Sequence, residues 1–127
     1  MKKNETFDFR TIETLQDALE RVDEQTRQDY TKSLEGFNTP DEIAYKQKKL
    51  IAKAIRGDWE PDYTDFNQKK WFPYFYLSAG SGFGFSGSTY GCGDAGTTVG
   101  SRLCFPMEEQ SDHFGHQFLE IHKTHLL

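Results

Sequence analysis

WFPYFYLSAGSGFGFSGSTYGCGDAGTTVGSRLCF, residues 71–105, is the stretch on which the fold turns. It holds eight of the chain's eleven glycines and both cysteines, and residues 71–90 carry eight of its nineteen aromatic side chains. Such density of aromatic rings suits a pleated strand with two usable faces. In WFPYFYL, Trp71, Phe75 and Leu77 point one way and Phe72, Tyr74 and Tyr76 the other. Pro73 has no N–H to donate, which predicts an edge strand or a break near its start. GFGF and STY predict further short strand pieces within 79–100, ahead of the turn-rich CGDAGTT. TVGSRLCF then reads as a strand with Val99, Ser101, Leu103 and Phe105 on the core face and Gly100, Arg102 and Cys104 on the other. That arrangement places Arg102 on the outer surface with some of Phe72, Tyr74 and Tyr76.

The segments on either side read as helical. Upstream, Thr11 is the expected N-cap of a first helix whose Ile12, Leu15, Leu19 and Val22 fall on one stripe. The apolar pattern lapses over residues 23–29, so the helix ends near Val22 or runs on as a solvated extension, with Gly36 and Asn38 as stop signals. A second helix starts at Thr39, with Pro40 in the first turn and Asp41 and Glu42 where the helix dipole favours negative charge. Its Ile43, Leu50, Ile51, Ala54 and Ile55 form one broad face, Lys46, Lys49, Lys53 and Arg56 the opposite one, and Gly57 ends it. GDWEPDYTDFNQKK links helix to sheet as a surface loop. Downstream, Glu108 and Glu109 open a closing helix carrying Phe114, Phe118, Ile121 and His125 on one face, to pack on the sheet beside the second helix. Gly115 inside it costs roughly 1 kcal/mol against Ala unless a neighbour needs close approach. The expected fold is therefore α+β. Two N-terminal helices, a small antiparallel sheet with a Gly/aromatic-rich loop, and a C-terminal helix on that sheet make one domain over 1–127, divided at about 11–57, 71–105 and 107–125.

Composition bounds the function. A 127-residue chain is long enough to support its own core, and with 35% hydrophobic but 15% aromatic residues that core is built from a few large side chains. A net charge of -5 argues against a general nucleic-acid coat, whose footprint is basic. Cys92 and Cys104 have no second pair to complete a zinc spacing and read as thiols of a reducing compartment. No apolar run approaches the ~20 residues of a spanning helix, so the expected location is the cytoplasm, with no membrane partner.

No catalytic signature stands. Gly82-Phe83-Gly84-Phe85-Ser86-Gly87 matches G-x-G-x-x-G, but STYGCGDAGTT cannot open the helix that would receive a pyrophosphate. Gly82-Phe83-Gly84-Phe85 also matches the core of the RNA-recognition signature, with Ser81 and Ser86 where a basic and an apolar residue belong. His113, His116, His122 and His125 cannot converge on one ion from one helix, because His113 and His122 lie about 180° apart; a pair such as His122/His125 falls short of a tetrahedral set. Cys104 with His113 lacks the third group of an activated nucleophile. No cofactor is expected. What remains is an aromatic surface, Phe72, Tyr74, Tyr76, Phe83, Phe85 and Arg102, able to stack a flat ligand or meet a protein. The basic face Lys46, Lys49, Lys53 and Arg56 would supply phosphate contacts or a solvated exterior.

T-P-D-E-I-A-Y-K-x-K-x-L-I-A-K-A-I-x-x-x-W-x-P-D (39–62), N-Q-K-K-W-F-P-Y-F-Y (67–76), V-G-S-R-L-C-F (99–105) and G-H-Q-F (115–118) together resemble a group of small proteins encoded by phages and prophages of gut-type anaerobic bacteria. V-G-S-R-L-C-F is the most specific part, while Pro106-Met107 and the polar 23–33 segment depart from the pattern. The resemblance implies a phage or mobile-element setting in a bacterial host cell and assigns no activity. The expectation is a non-enzymatic accessory protein that binds a host or phage protein, with inhibition of a host system as one form of that binding. Nucleic-acid or nucleotide binding through the aromatic sheet surface is the alternative, and a small enzyme of unknown class the second.

Overall fold

The computed structural model describes residues 7–77, 82–92 and 102–127. A 3-10 turn at Phe9–Thr11 leads into α1 (Leu15–Arg21), α2 (Glu24–Ser33), α3 (Pro40–Arg56), β1 (Lys70–Tyr76), β2 (Gly84–Gly91), α4 (Glu108–Gln117) and α5 (Leu119–Leu126). The chain is α+β, with five helices and a two-stranded antiparallel sheet among the described residues. The C-terminal helix α4 contacts both strands.

Side-chain caps decide where α1, α2 and α3 begin. The start expected at Thr11 lies at Thr14, because only Thr14 has an acid at its third helical position. Its hydroxyl accepts from the Asp17 N–H while Asp17 accepts from the Thr14 N–H, a reciprocal capping box. Thr11 closes the preceding 3-10 turn by donating to the Asp8 carbonyl at 2.8 Å. Residues 24–33 are a separate helix rather than an extension, since Asp23 caps a new start by accepting from the Thr26 N–H at 2.7 Å. α3 starts where expected: Thr39 and Glu42 form a second capping box around Pro40. Gly57 ends it at φ +68, a conformation that other residues rarely adopt.

α3 is the central element, contacted by α1, α2, α4 and α5. Its buried Leu50, Ile51, Ala52, Ala54 and Ile55 meet Phe9, Ile12, Ala18 and Val22 from the N-terminal side and Leu103, Phe105, Phe114 and Phe118 from the C-terminal side. Each large apolar side chain fully buried here contributes roughly 1.5–3 kcal/mol.

β1 and β2 pair from Lys70↔Gly91 to Tyr76↔Gly84, with a bulge after Tyr74 that leaves Ser86 as the extra residue of β2. The expected third strand reduces, within the described residues, to a Trp71↔Phe105 bridge with both backbone hydrogen bonds made. Val99, Gly100 and Ser101 lie outside the described residues, as does residue 93–98 of the expected turn. The alternation expected after Arg102 is absent, because Leu103, Cys104 and Phe105 are all buried. Cys104 therefore does not share the outer surface with Arg102.

The closing helix is two helices. Phe118 leaves the helical region at φ -109, ψ 36, and this break aims α4 at the sheet and α5 at α3. Gly115 of α4 is the point of closest approach to the sheet. A Cβ there would lie 2.6 Å from the Phe85 ring and 2.8 Å from Pro73 Cβ, which is the close neighbour that its place in a helix requires. Ser88 reinforces the contact, donating to Asp112 Oδ1 at 2.6 Å and lying 2.7 Å from Ser111 Oγ.

Candidate functional site

The bulged register divides the predicted aromatic set between two faces. On the α4 side, Phe85 opposes Phe75 across the strands, and Phe75 stacks on Phe83 with ring centroids 5.2 Å apart. Phe75 also lies against His122, and Phe85 against His116. Phe83 and Phe85 are half-buried in this second aromatic core. On the other face, Tyr74 lies over Gly87 and Tyr76 over Gly84, with would-be glycine Cβ atoms 3.4 and 3.3 Å from the ring carbons. The missing side chains leave room for each ring to lie across the neighbouring strand, the arrangement by which an aromatic covers a cross-strand glycine. Tyr74 and Tyr76 nevertheless remain 45% and 55% exposed. Phe72 does not join them as an open ring, because it is half-buried against the main core. Arg102 is exposed, and its carbonyl accepts from Arg56 Nη1 at 2.5 Å.

The basic face of α3 is largely engaged within the chain. Lys46 donates to the Ser33 carbonyl and to Asn38 Oδ1. Lys53 pairs with Glu60 at 3.2 Å. Arg56 reaches the carbonyls of Arg102 and Cys104 as well as Glu60, tying α3 to the 102–105 segment. Lys49 alone of the four is exposed, its ammonium 5.2 Å from the Tyr45 ring centroid.

Two buried lysines escaped the sequence reading. Lys70 donates to the carbonyls of Asp65, Gln68 and Cys92 at 2.6–3.0 Å, so a cation knits the linker loop to the end of β2. Lys48 has no exposed surface, and its Nζ lies 2.8 Å from His125 Nδ1. Burial lowers its pKa to about 7. His122, also fully buried, donates from Nε2 to the Phe114 carbonyl at 2.9 Å. Its Nδ1 is then an unprotonated acceptor with no partner among the described residues. Burial first, then the nearby Lys48, lower the His122 pKa to about 3. The signal for Lys48 is present in the sequence: it follows Ala44 by four residues and precedes Ile51 by three, on the apolar stripe of α3.

Nucleophile and metal chemistry find no support in this geometry. Burial pushes the Cys104 thiol up from its ordinary range, opposite to what an activated nucleophile needs, and its sulfur lies 3.7 Å from the Tyr63 hydroxyl. His113 is turned to the Ile12 carbonyl at 2.7 Å and His122 to that of Phe114, so the four histidines face different partners. Among the described residues, no group of three or more His, Cys, Asp or Glu side chains is placed to hold a metal ion. The G-x-G-x-x-G string runs into β2 rather than a helix, which removes the anion site that the motif requires. No helix among the described residues is long and apolar enough to cross a membrane. No protein family, curated protein or solved structure was found to match the chain.

Proposed function

We propose that this chain is a non-enzymatic accessory protein of a phage or mobile element that binds a protein partner through the outer face of the β1–β2 sheet. The observation that carries the reading is the pair Tyr74 and Tyr76, about half exposed and side by side above Gly87 and Gly84. Tyrosine supplies a large, rigid contact surface with a polar tip, and it is enriched among the residues that dominate binding energy. The basic side chains of α3 favour this reading over nucleic acid, since three of the four already hold internal partners. A net charge of -5 adds no long-range attraction for phosphate. Inhibition of a host system is one form that such binding would take in a phage or mobile-element setting.

The test places a photo-crosslinking phenylalanine analogue at position 76, with position 16 on exposed α1 surface as the control, in cells carrying the element. One discrete protein adduct from position 76, absent from position 16 and lost on Tyr74→Ala, is expected. With the partner purified, Tyr74→Ala should weaken binding by about 2 kcal/mol, roughly thirty-fold. Retention on single-stranded DNA or RNA that disappears between about 50 and 200 mM salt, with no protein adduct, would put nucleic-acid binding in its place.

A further inference from the structure

Where α5 packs on α3 and α4, three basic side chains lie together, and among the described residues little acid faces them. Lys48 of α3 is fully buried and lies 2.8 Å from His125 Nδ1 of α5, where a charged Lys48 donates to a neutral His125 that carries its proton on Nε2. One turn earlier on α5, His122 presents an unpartnered Nδ1 in full burial, enclosed by the Phe75 and Phe114 rings, each 4.6 Å away by centroid. The other groups facing the cluster are few. From α3 come the Tyr45 ring, 5.2 Å from that of His125, Lys49 above Tyr45, and Asp41, whose charge weakly favours protonated His125. From α4 comes only the Phe114 carbonyl, and from β1 only an apolar ring. Glu120 and Lys123 of α5 are exposed. α5 is joined to α4 through the single non-helical residue Phe118, a point at which it can swing away without unwinding α4.

We propose that Lys48, His122 and His125 form an acid-sensitive latch, in which proton uptake by the cluster releases α5 from α3 while the rest of the fold stays closed. In the docked state a second proton at His125 would face the Lys48 ammonium in a poorly hydrated contact. A proton at His122 would place a charge between two phenylalanine rings, which costs far more than the same charge in water. Release lets every one of these groups protonate in solvent. His122 and Lys48 have docked pKa values below their ordinary ones, about 3 and about 7, so the released state binds more protons. By linkage, docking is then favoured as pH rises and lost as it falls, and below neutrality the loss runs through the His122 range under about 6.5. Lys48 adds a gain of the same slope, one proton, between about pH 7 and its ordinary value near 10.4.

Hydrogen exchange of the α5 amides, corrected for the intrinsic pH dependence, measures the released population. Between pH 7 and pH 5 it should rise at least about twenty-fold, the factor that His122 alone supplies, while α1 and α3 amides change much less. His122→Phe should remove most of the rise. Should that variant fail to fold, NMR titration of the parent gives an independent reading, in which the native His122 signal remains neutral at pH 5.5 and His125 titrates below its ordinary value. An equal rise in α1, α3 and α5 would mean that acid unfolds the whole chain. That result, a flat α5 response, or histidines titrating near their ordinary value in the native signal would each overturn the latch.

Discussion

Lys48 shows what one residue can do against its own chemistry. With no exposed surface and no acidic partner among the described residues, its Nζ lies 2.8 Å from a single histidine nitrogen. Lys48→Met keeps most of the volume and removes the desolvation penalty. At pH 7 the variant should be more stable than the parent by about 1–3 kcal/mol in urea unfolding. The advantage should shrink toward pH 10, where the unfolded parent's lysine also becomes neutral. A variant less stable at both pH values would mean that the bond to His125 outweighs the burial of charge. The residue's spacing on α3 was legible, since it shares the stripe of Ala44 and Ile51. Its chemical type spoke for solvent, and no local signal announces that a histidine on a helix seventy-odd positions away will receive it.

At the scale of elements, the caps account for what sequence could and could not place. Thr39-Pro40-Asp41-Glu42 carries its own boundary, because every group that satisfies the first turn of α3 lies within four residues. The same logic, applied with attention to the acid three positions on, favours Thr14 over Thr11. α2 is different: none of its residues is buried, so no apolar stripe announces it. It is held by the Asp23 cap, by Gln25–Asp29 and Gln28–Glu24 pairs at 2.9 and 3.1 Å, and by Arg27 donating to the Val22 carbonyl. Exposed pairs of this kind contribute only about 0.2–0.5 kcal/mol each. The cap is the largest of these polar supports, beside the packing of half-buried Tyr30 on the core, and Asp23→Ala should lower the helix content of α2 with a loss of about 1 kcal/mol. Amide exchange over Glu24–Ser33 should accelerate roughly five-fold while α3 is unchanged. An unchanged α2 would show that its contact with α3, not its cap, holds it.

For the whole molecule, the decisive relation is how a two-stranded sheet is attached to a helical body. Such a sheet is marginal by itself in water and needs a helix to lean on. Trp71↔Phe105 and the Ser88 bonds to α4 help, but the tight fit is at Gly115, where the helix backbone meets Pro73 and Phe85. The sequence carries the glycine and the aromatic strand separately. That the two meet follows from the break at Phe118 and the bulge at Ser86, neither of which has a signature in residue type. Gly115→Ala makes a sign test of this relation. Helix propensity alone would stabilise α4 by about 1 kcal/mol. A methyl 2.6 Å from the Phe85 ring must push strand and helix apart, and overpacking of this kind costs about 1–3 kcal/mol. The clash should win, lowering the melting temperature by several degrees and speeding exchange in Lys70–Tyr76 and Gly84–Gly91 ahead of α1 and α3. A variant as stable as the parent would show that Phe85 can rotate aside and that the sheet rides on α4 loosely. Because Tyr74 and Tyr76 lie on the opposite face of those same strands, partner binding should tighten the α4 contact as well, slowing exchange at Gly115 and its neighbours in the bound state. A partner that protects only residues 74 and 76, with α4 unchanged, would separate the binding face from the scaffold beneath it.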